Sequence, residues 1–201
     1  VALDATMSVR LQKRKIVGGN IHGRIPNVEL KQYRYSDIKA DVAFDRSHYS
    51  GSVSIEAKNA MAQIDGELLL DGSNSTFSIN AQVDKVDLNA INIIKSYQGH
   101  SLALTMYAEF IGDKLDNSTG ELFVSDIKFV NGNEEGIHVN NFNVIANNSA
   151  HPQNIKISSD IVNGSIVGQY NFASLLPAAK DILSHVFPDL INANEHHNKS
   201  G

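Results

Sequence analysis

The residues that could carry chemistry stand in patterns that fit no known reactive arrangement. Gly18-Gly19-Asn20-Ile21-His22-Gly23 has the glycines of a phosphate loop but no strand leading in and no helix following, so a hairpin turn is the simpler reading. His22, His48, His100, His138, His151 and His185 lack a paired-ligand spacing, and His196-His197 sits in a polar tail. Asn131-Gly132-Asn133-Glu134-Glu135-Gly136 gathers oxygen atoms without the full spacing of a calcium loop, which leaves an acidic turn. Asp65, Glu67, Asp84 and Asp87 could form an acid–base pair, yet outward carboxylates on an alternating strand ordinarily just solvate its polar face. No serine stands in a nucleophile-elbow sequence, and the absence of cysteine removes thiol nucleophiles, thiolate metal sites and disulfides together. Asn74-Ser75-Thr76, Asn117-Ser118-Thr119, Asn147-Asn148-Ser149 and Asn163-Gly164-Ser165 match the glycosylation acceptor pattern, which turns rich in Asn and Ser produce without glycans. The expectation is a protein that is not an enzyme and needs neither metal nor cofactor.

What remains is the pattern of the elements themselves. The chain has 201 residues, 42% of them hydrophobic, enough for one ordinary domain. Its 17 basic residues against 22 acidic ones give a net charge of −5, which argues against binding nucleic acid through phosphate neutralisation. No apolar run approaches the roughly 20 residues of a membrane-spanning helix. The chain opens on Val1 and is read as a section of something longer, with its targeting information elsewhere.

Period two dominates. Ile38, Ala40, Val42 and Phe44 alternate with polar neighbours, and so do Tyr49, Gly51, Val53 and Ile55 after a hairpin at Asp45-Arg46-Ser47-His48. The pattern returns in Ile64, Gly66 and Leu68, in Phe77, Ile79 and Ala81, and in Leu102, Leu104, Met106 and Phe110. It continues through Leu122 and Val124, Phe142 and Val144, Ile155 and Ile157, and Ile166, Gly168 and Tyr170. Phase slips at Ser125-Asp126 and Asn140-Asn141 predict β-bulges, and Asp71-Gly72, Gly112-Asp113, Asn131-Gly132 and Asn163-Gly164 predict turns. The first 30 residues are less regular, with Lys13-Arg14-Lys15 and Gly18-Gly19 reading as a basic turn. Asp87 can cap a short helix carrying Leu88, Ile91 and Ile94, and Ser174 can cap an amphipathic helix over 174–187 that Pro188 ends. Residues 192–201 read as a polar tail, and 1–191 as one β-rich section.

A sheet of nine or more strands must cover its apolar face with a second sheet, a helix or a ligand. Closure into a β-sandwich and an open groove that receives acyl chains remain alternatives at this point. The candidate lining of such a groove is Val42, Phe44, Val53, Ile55, Ile64, Leu68, Phe77, Ile79, Leu102, Leu104, Met106, Phe110, Val124, Val144, Ile157, Ile166 and Tyr170.

The stretch Asp65-Gly66-Glu67-Leu68-Leu69-Leu70-Asp71, followed by Phe77-Ser78-Ile79-Asn80-Ala81-Gln82-Val83-Asp84-Lys85-Val86-Asp87-Leu88-Asn89-Ala90-Ile91-Asn92, resembles a repeat unit of the AsmA-like envelope proteins. Within that family it is most similar to the TamB (translocation and assembly module) group of Bacteroides-type bacteria. Tyr33-Arg34-Tyr35-Ser36-Asp37-Ile38 is similar to the preceding hairpin, and Ile166 to Pro177 to its strand-to-helix segment. The resemblance implies an all-β fold: a long antiparallel sheet folded like a taco around an apolar groove. It also implies a periplasmic section of a protein anchored in the inner membrane. Phospholipid acyl chains and an outer-membrane barrel assembly protein would be its partners. The 174–187 helix would cover one end of the groove, and the isolated section could dimerise. Two other roles compete, a chaperone-like module that adds strands from outer-membrane proteins and a self-closed surface sandwich.

Overall fold

The computed structural model describes residues 2–13, 15–93, 97–132 and 136–171. The expected helix over 174–187, the polar tail, Ile94 and residues 133–135 of the acidic turn lie outside the described residues.

Eleven strands pair strictly in sequence order into one antiparallel, curled sheet that does not close on itself. They are β1 (Ala2–Gln12), β2 (Lys15–Leu30), β3 (Tyr33–Asp45), β4 (His48–Ala57), β5 (Ala60–Leu69), β6 (Thr76–Val86), β7 (His100–Ile111), β8 (Thr119–Asn131), β9 (Ile137–Asn147), β10 (Gln153–Ser159) and β11 (Asn163–Gly168). Short connections explain the order, since a hairpin of a few residues can only place the next strand beside the last. Lys58-Asn59 and Arg46-Ser47 each leave two residues between paired strand ends.

Three expectations about turns and helices are corrected. Gly18-Gly19 is not a turn but mid-strand, paired with Arg10 and Val9. A Cβ on Gly19 would stand 2.3 Å from the Ser8 carbonyl oxygen, so the close approach of β1 demands glycine there. Asn163-Gly164 opens β11 rather than turning; the turn precedes it, where the Ser159 hydroxyl accepts from the N–H groups of Ile161 and Val162. The short helix at Asp87 is a run of turns. The Asp87 carboxylate does accept from the Asn89 and Ala90 N–H groups, but Asn92 takes a left-handed φ of 59° and ends the winding after one turn.

The phase slips share one cause. At Asp37 (φ 50°) and Asp126 (φ 54°) the backbone enters the left-handed region, which aspartate tolerates better than most residues. Apolar side chains change from Tyr33 and Tyr35 to Ile38 and Ala40 across the first, and from Leu122 and Val124 to Ile127 and Phe129 across the second. Against β7, β8 carries one extra residue at Asp126, as expected. Between β8 and β9 the register is unbroken, so the slip at Asn140-Asn141 is no separate bulge but the answering change opposite Asp126. Strand β6 carries a further extra residue at Asp84-Lys85. These irregularities lie along one line, beside the row Ile38–Ile55–Ala62–Val83–Leu104. Bulges sharpen local twist and bend a strand, so this line is a crease in the sheet. Both left-handed aspartates sit in the same tetrapeptide, Ser36-Asp37-Ile38-Lys39 and Ser125-Asp126-Ile127-Lys128. Asp126→Ala is expected to lower stability by about 1–2 kcal/mol, and Asp126→Gly to cost less, in denaturant unfolding; equal losses would show that the φ is not the reason for the aspartate.

Candidate apolar face

Opposed residues in an antiparallel ladder share a face, so the register decides where each predicted lining residue points. One row crosses all eleven strands: Val9–Gly19–Phe44–Tyr49–Leu68–Phe77–Phe110–Gly120–Ala146–Ile155–Ile166. A second runs Ile21–Val42–Gly51–Gly66–Ile79–Ala108–Leu122–Val144–Ile157, and a third Ala40–Val53–Ile64–Ala81–Met106–Val124–Phe142. Leu104 and Ile55 fall in the row beside the crease, and Leu102 pairs with Val86 and Phe129 beyond it. Every predicted lining residue except Tyr170 therefore belongs to one face. Tyr170 follows β11, where its backbone N–H donates to Gln153 Oε1 and its hydroxyl donates to Asn148 Oδ1 at 2.6 Å. Burial raises the Tyr170 phenol above its ordinary pKa.

This face is the less exposed of the two, as the alternating burial along β5 records. Yet among the described residues no large side chain is fully buried, and Phe77 remains 42% exposed. Five of the nine buried hydrophobic residues among those described are alanines, Ala57, Ala60, Ala81, Ala108 and Ala146, lying low between taller neighbours. Gly51 and Gly66 face each other mid-sheet and lower the floor further.

The two rims differ. Beyond the crease, Ile91 is 3% exposed and packs with Ala57 and Ala60 beneath Tyr33, Tyr35, Ile55, Val86 and Leu88. The turn that carries it is tied down by Asp87 N–H donating to Asn59 O at 2.9 Å and Asn92 Nδ2 to Lys31 O at 2.7 Å. Tyr97 meets His100 and Phe129 edge-on while the His100 and Phe129 rings stack, with centroids 5.2–5.5 Å apart. At the opposite rim an open cavity of about 520 Å³ is lined by Leu68, Leu70, Phe77 and Phe110, with Lys114 and Asp113 at its edge. Asn117 donates to the Asp113 carboxylate and holds it below its usual range.

The other face carries polar pairs over β2 to β5, with Met61, Leu69, Ile111, Phe123, Ile145 and Val167 as exposed apolar side chains among the polar ones. Arg24 bonds Asp37, His22 bonds Asp41, Lys39 reaches Glu56 at 3.0 Å, and His48 reaches Glu67. The Arg24 hydrogen bond holds Asp37 below the ordinary carboxylate pKa, and the bond to Glu109 raises the Tyr107 phenol. The carboxylates first considered for acid–base work each take a different partner: Asp65 takes Gln63, Glu67 takes His48, Asp84 takes Gln82, and Asp87 caps its turn. Among the described residues no three His, Cys, Asp or Glu side chains converge on a point where a metal could sit.

Comparison with protein-family models, with curated proteins and with solved structures gives no match. The bulge at Asp126 is legible in the sequence, whereas the left-handed Asp37 and the line that joins the two are not, although the repeated Ser-Asp-Ile-Lys marks both.

Proposed function

We propose that the apolar face is the inside of the curl and that it holds phospholipid acyl chains, as one section of an envelope protein that carries lipid between inner and outer membranes. The observation that supports this most is the set of unbroken apolar rows crossing from strand to strand without a second layer over them among the described residues. Ten inter-strand steps of about 4.8 Å give the row that crosses all eleven strands a length of about 48 Å. An exposed methylene costs about 0.8 kcal/mol in water, so a chain laid along such a row crosses an aqueous gap without that cost. No covalent step or nucleotide is needed. Lys114 stands where a phosphate headgroup would remain at the open rim, beside the cavity of Leu68, Phe77 and Phe110. The rim's cavity falls within the range of about 300–1,000 Å³ typical of small-molecule sites. The resemblance to the AsmA-like family supports this reading and implies a parent protein in the periplasm that passes lipid toward an outer-membrane barrel protein.

The test is mass spectrometry of lipid extracted from protein purified without harsh detergent. Phospholipid near one or more molecules per chain is the expected result. A folded protein that carries no lipid and binds no apolar dye returns the face to a structural role.

A further inference from the structure

The strand β1 forms one margin of the sheet, with β2 on one side and no strand of the described residues on the other. Charges on such an edge ordinarily protect it, because like charges brought face to face oppose pairing. On β1 the protection is undone by order. Asp4 and Arg10 have opposite sign and stand equally far from Met7, with Thr6 and Ser8 inside them and Ala5 and Val9 alternating on the apolar face.

We infer that β1 pairs with the β1 of a second copy, antiparallel and centred on Met7. In that register Asp4 lies opposite the partner's Arg10, Ala5 opposite the partner's Val9, Thr6 opposite the partner's Ser8, and Met7 opposite the partner's Met7. Both charge pairs are satisfied at once, and the polar and apolar faces continue from one copy to the other. A one-residue slip turns the apolar set onto the wrong face. A two-residue slip sets Asp4 opposite the partner's Ser8 or Gln12 and loses both ion pairs. Both charges have weak neighbours within the chain: Asp4 lies opposite Arg24, which is itself bonded to Asp37, and Arg10 makes a loose 3.4 Å contact with Asp45, its side chain 66% exposed. Met7 is 57% and Val9 44% exposed, apolar surface that the pairing would cover. Because the joint is self-complementary it closes at two chains.

Sedimentation of the full chain over a range of concentrations tests this. The unaltered protein is expected as a dimer at micromolar concentration. Asp4→Arg alone and Arg10→Asp alone each turn two attractions into two repulsions and should weaken dimerisation about tenfold or more. An equimolar mixture of the two single variants should form heterodimers, and the doubly exchanged D4R/R10D chain should dimerise like the original. Circular dichroism confirms that each variant keeps its sheet, the positions being exposed. A monomer at every concentration, growth beyond two chains, or a dimer indifferent to the single exchanges would overturn the inference.

Discussion

Replacing Leu104 with aspartate is expected to strip bound phospholipid from the protein while leaving the sheet folded. Leu104 lies on the apolar face opposite Val83, half-buried beside the crease, with Met106 in the next row. A carboxylate there must keep its water, and an acyl chain crossing the row would have to displace it. Loss of contact with only two methylenes is worth about 1.6 kcal/mol, already more than tenfold in occupancy. Lipid per chain should therefore fall at least about tenfold by mass spectrometry. Thr105→Asp is the matched control, since Thr105 is exposed on the polar face opposite Gln82 and Ser125. It should keep its lipid. Equal loss in both variants, or none in Leu104→Asp, would sink the proposal that this face is where lipid lies.

Ile91→Ala should give the largest loss of stability. The side chain is 3% exposed and fills a cluster of buried residues that the sheet builds, among the described residues, against a covering segment. Truncation removes its transfer free energy and leaves a cavity that Ala57 and Ala60, fixed in a two-residue hairpin, cannot collapse to fill. The cost is about 2–4 kcal/mol, or about 5–15 °C in Tm for a domain of this size. Thermal unfolding followed by circular dichroism measures it. A shift below about 2 °C would mean that the turn over 87–93 adds little to the fold. Lipid content below the transition should be unchanged, because Ile91 lies at the rim opposite the cavity of Phe77 and Phe110.

Strand identity and facing were legible because a half-wetted sheet writes itself as alternation, and the rows confirm that Val42, Ile64, Met106 and Ile157 share a face. Two features escaped. Glycine misleads as a turn signal at Gly18-Gly19 and Asn163-Gly164, because the first meets the backbone of β1 and the second simply begins β11. Nor could local pattern show that Pro26 and Asn140 answer the slips at Asp37 and Asp126, because that relation exists only across a hydrogen-bonded pair of strands. The early strands were faint for a related reason. Residues of β1 and β2 are largely exposed, so the sequence there is under less pressure to alternate cleanly.

The sequential strand order has a consequence for how such a chain comes to be folded. Each strand finds its neighbour across a short connection, the longest of them from Val86 to His100, so little loop-closure entropy is lost at any step. Contact order stays low for an all-β protein, and pairing can begin at any hairpin and spread outward like a zipper. Stability then resides in nearest-neighbour joints rather than in a common core. The same economy sets how length can change: a hairpin added or removed within the array preserves strand direction and facing, and alters only how far the sheet extends.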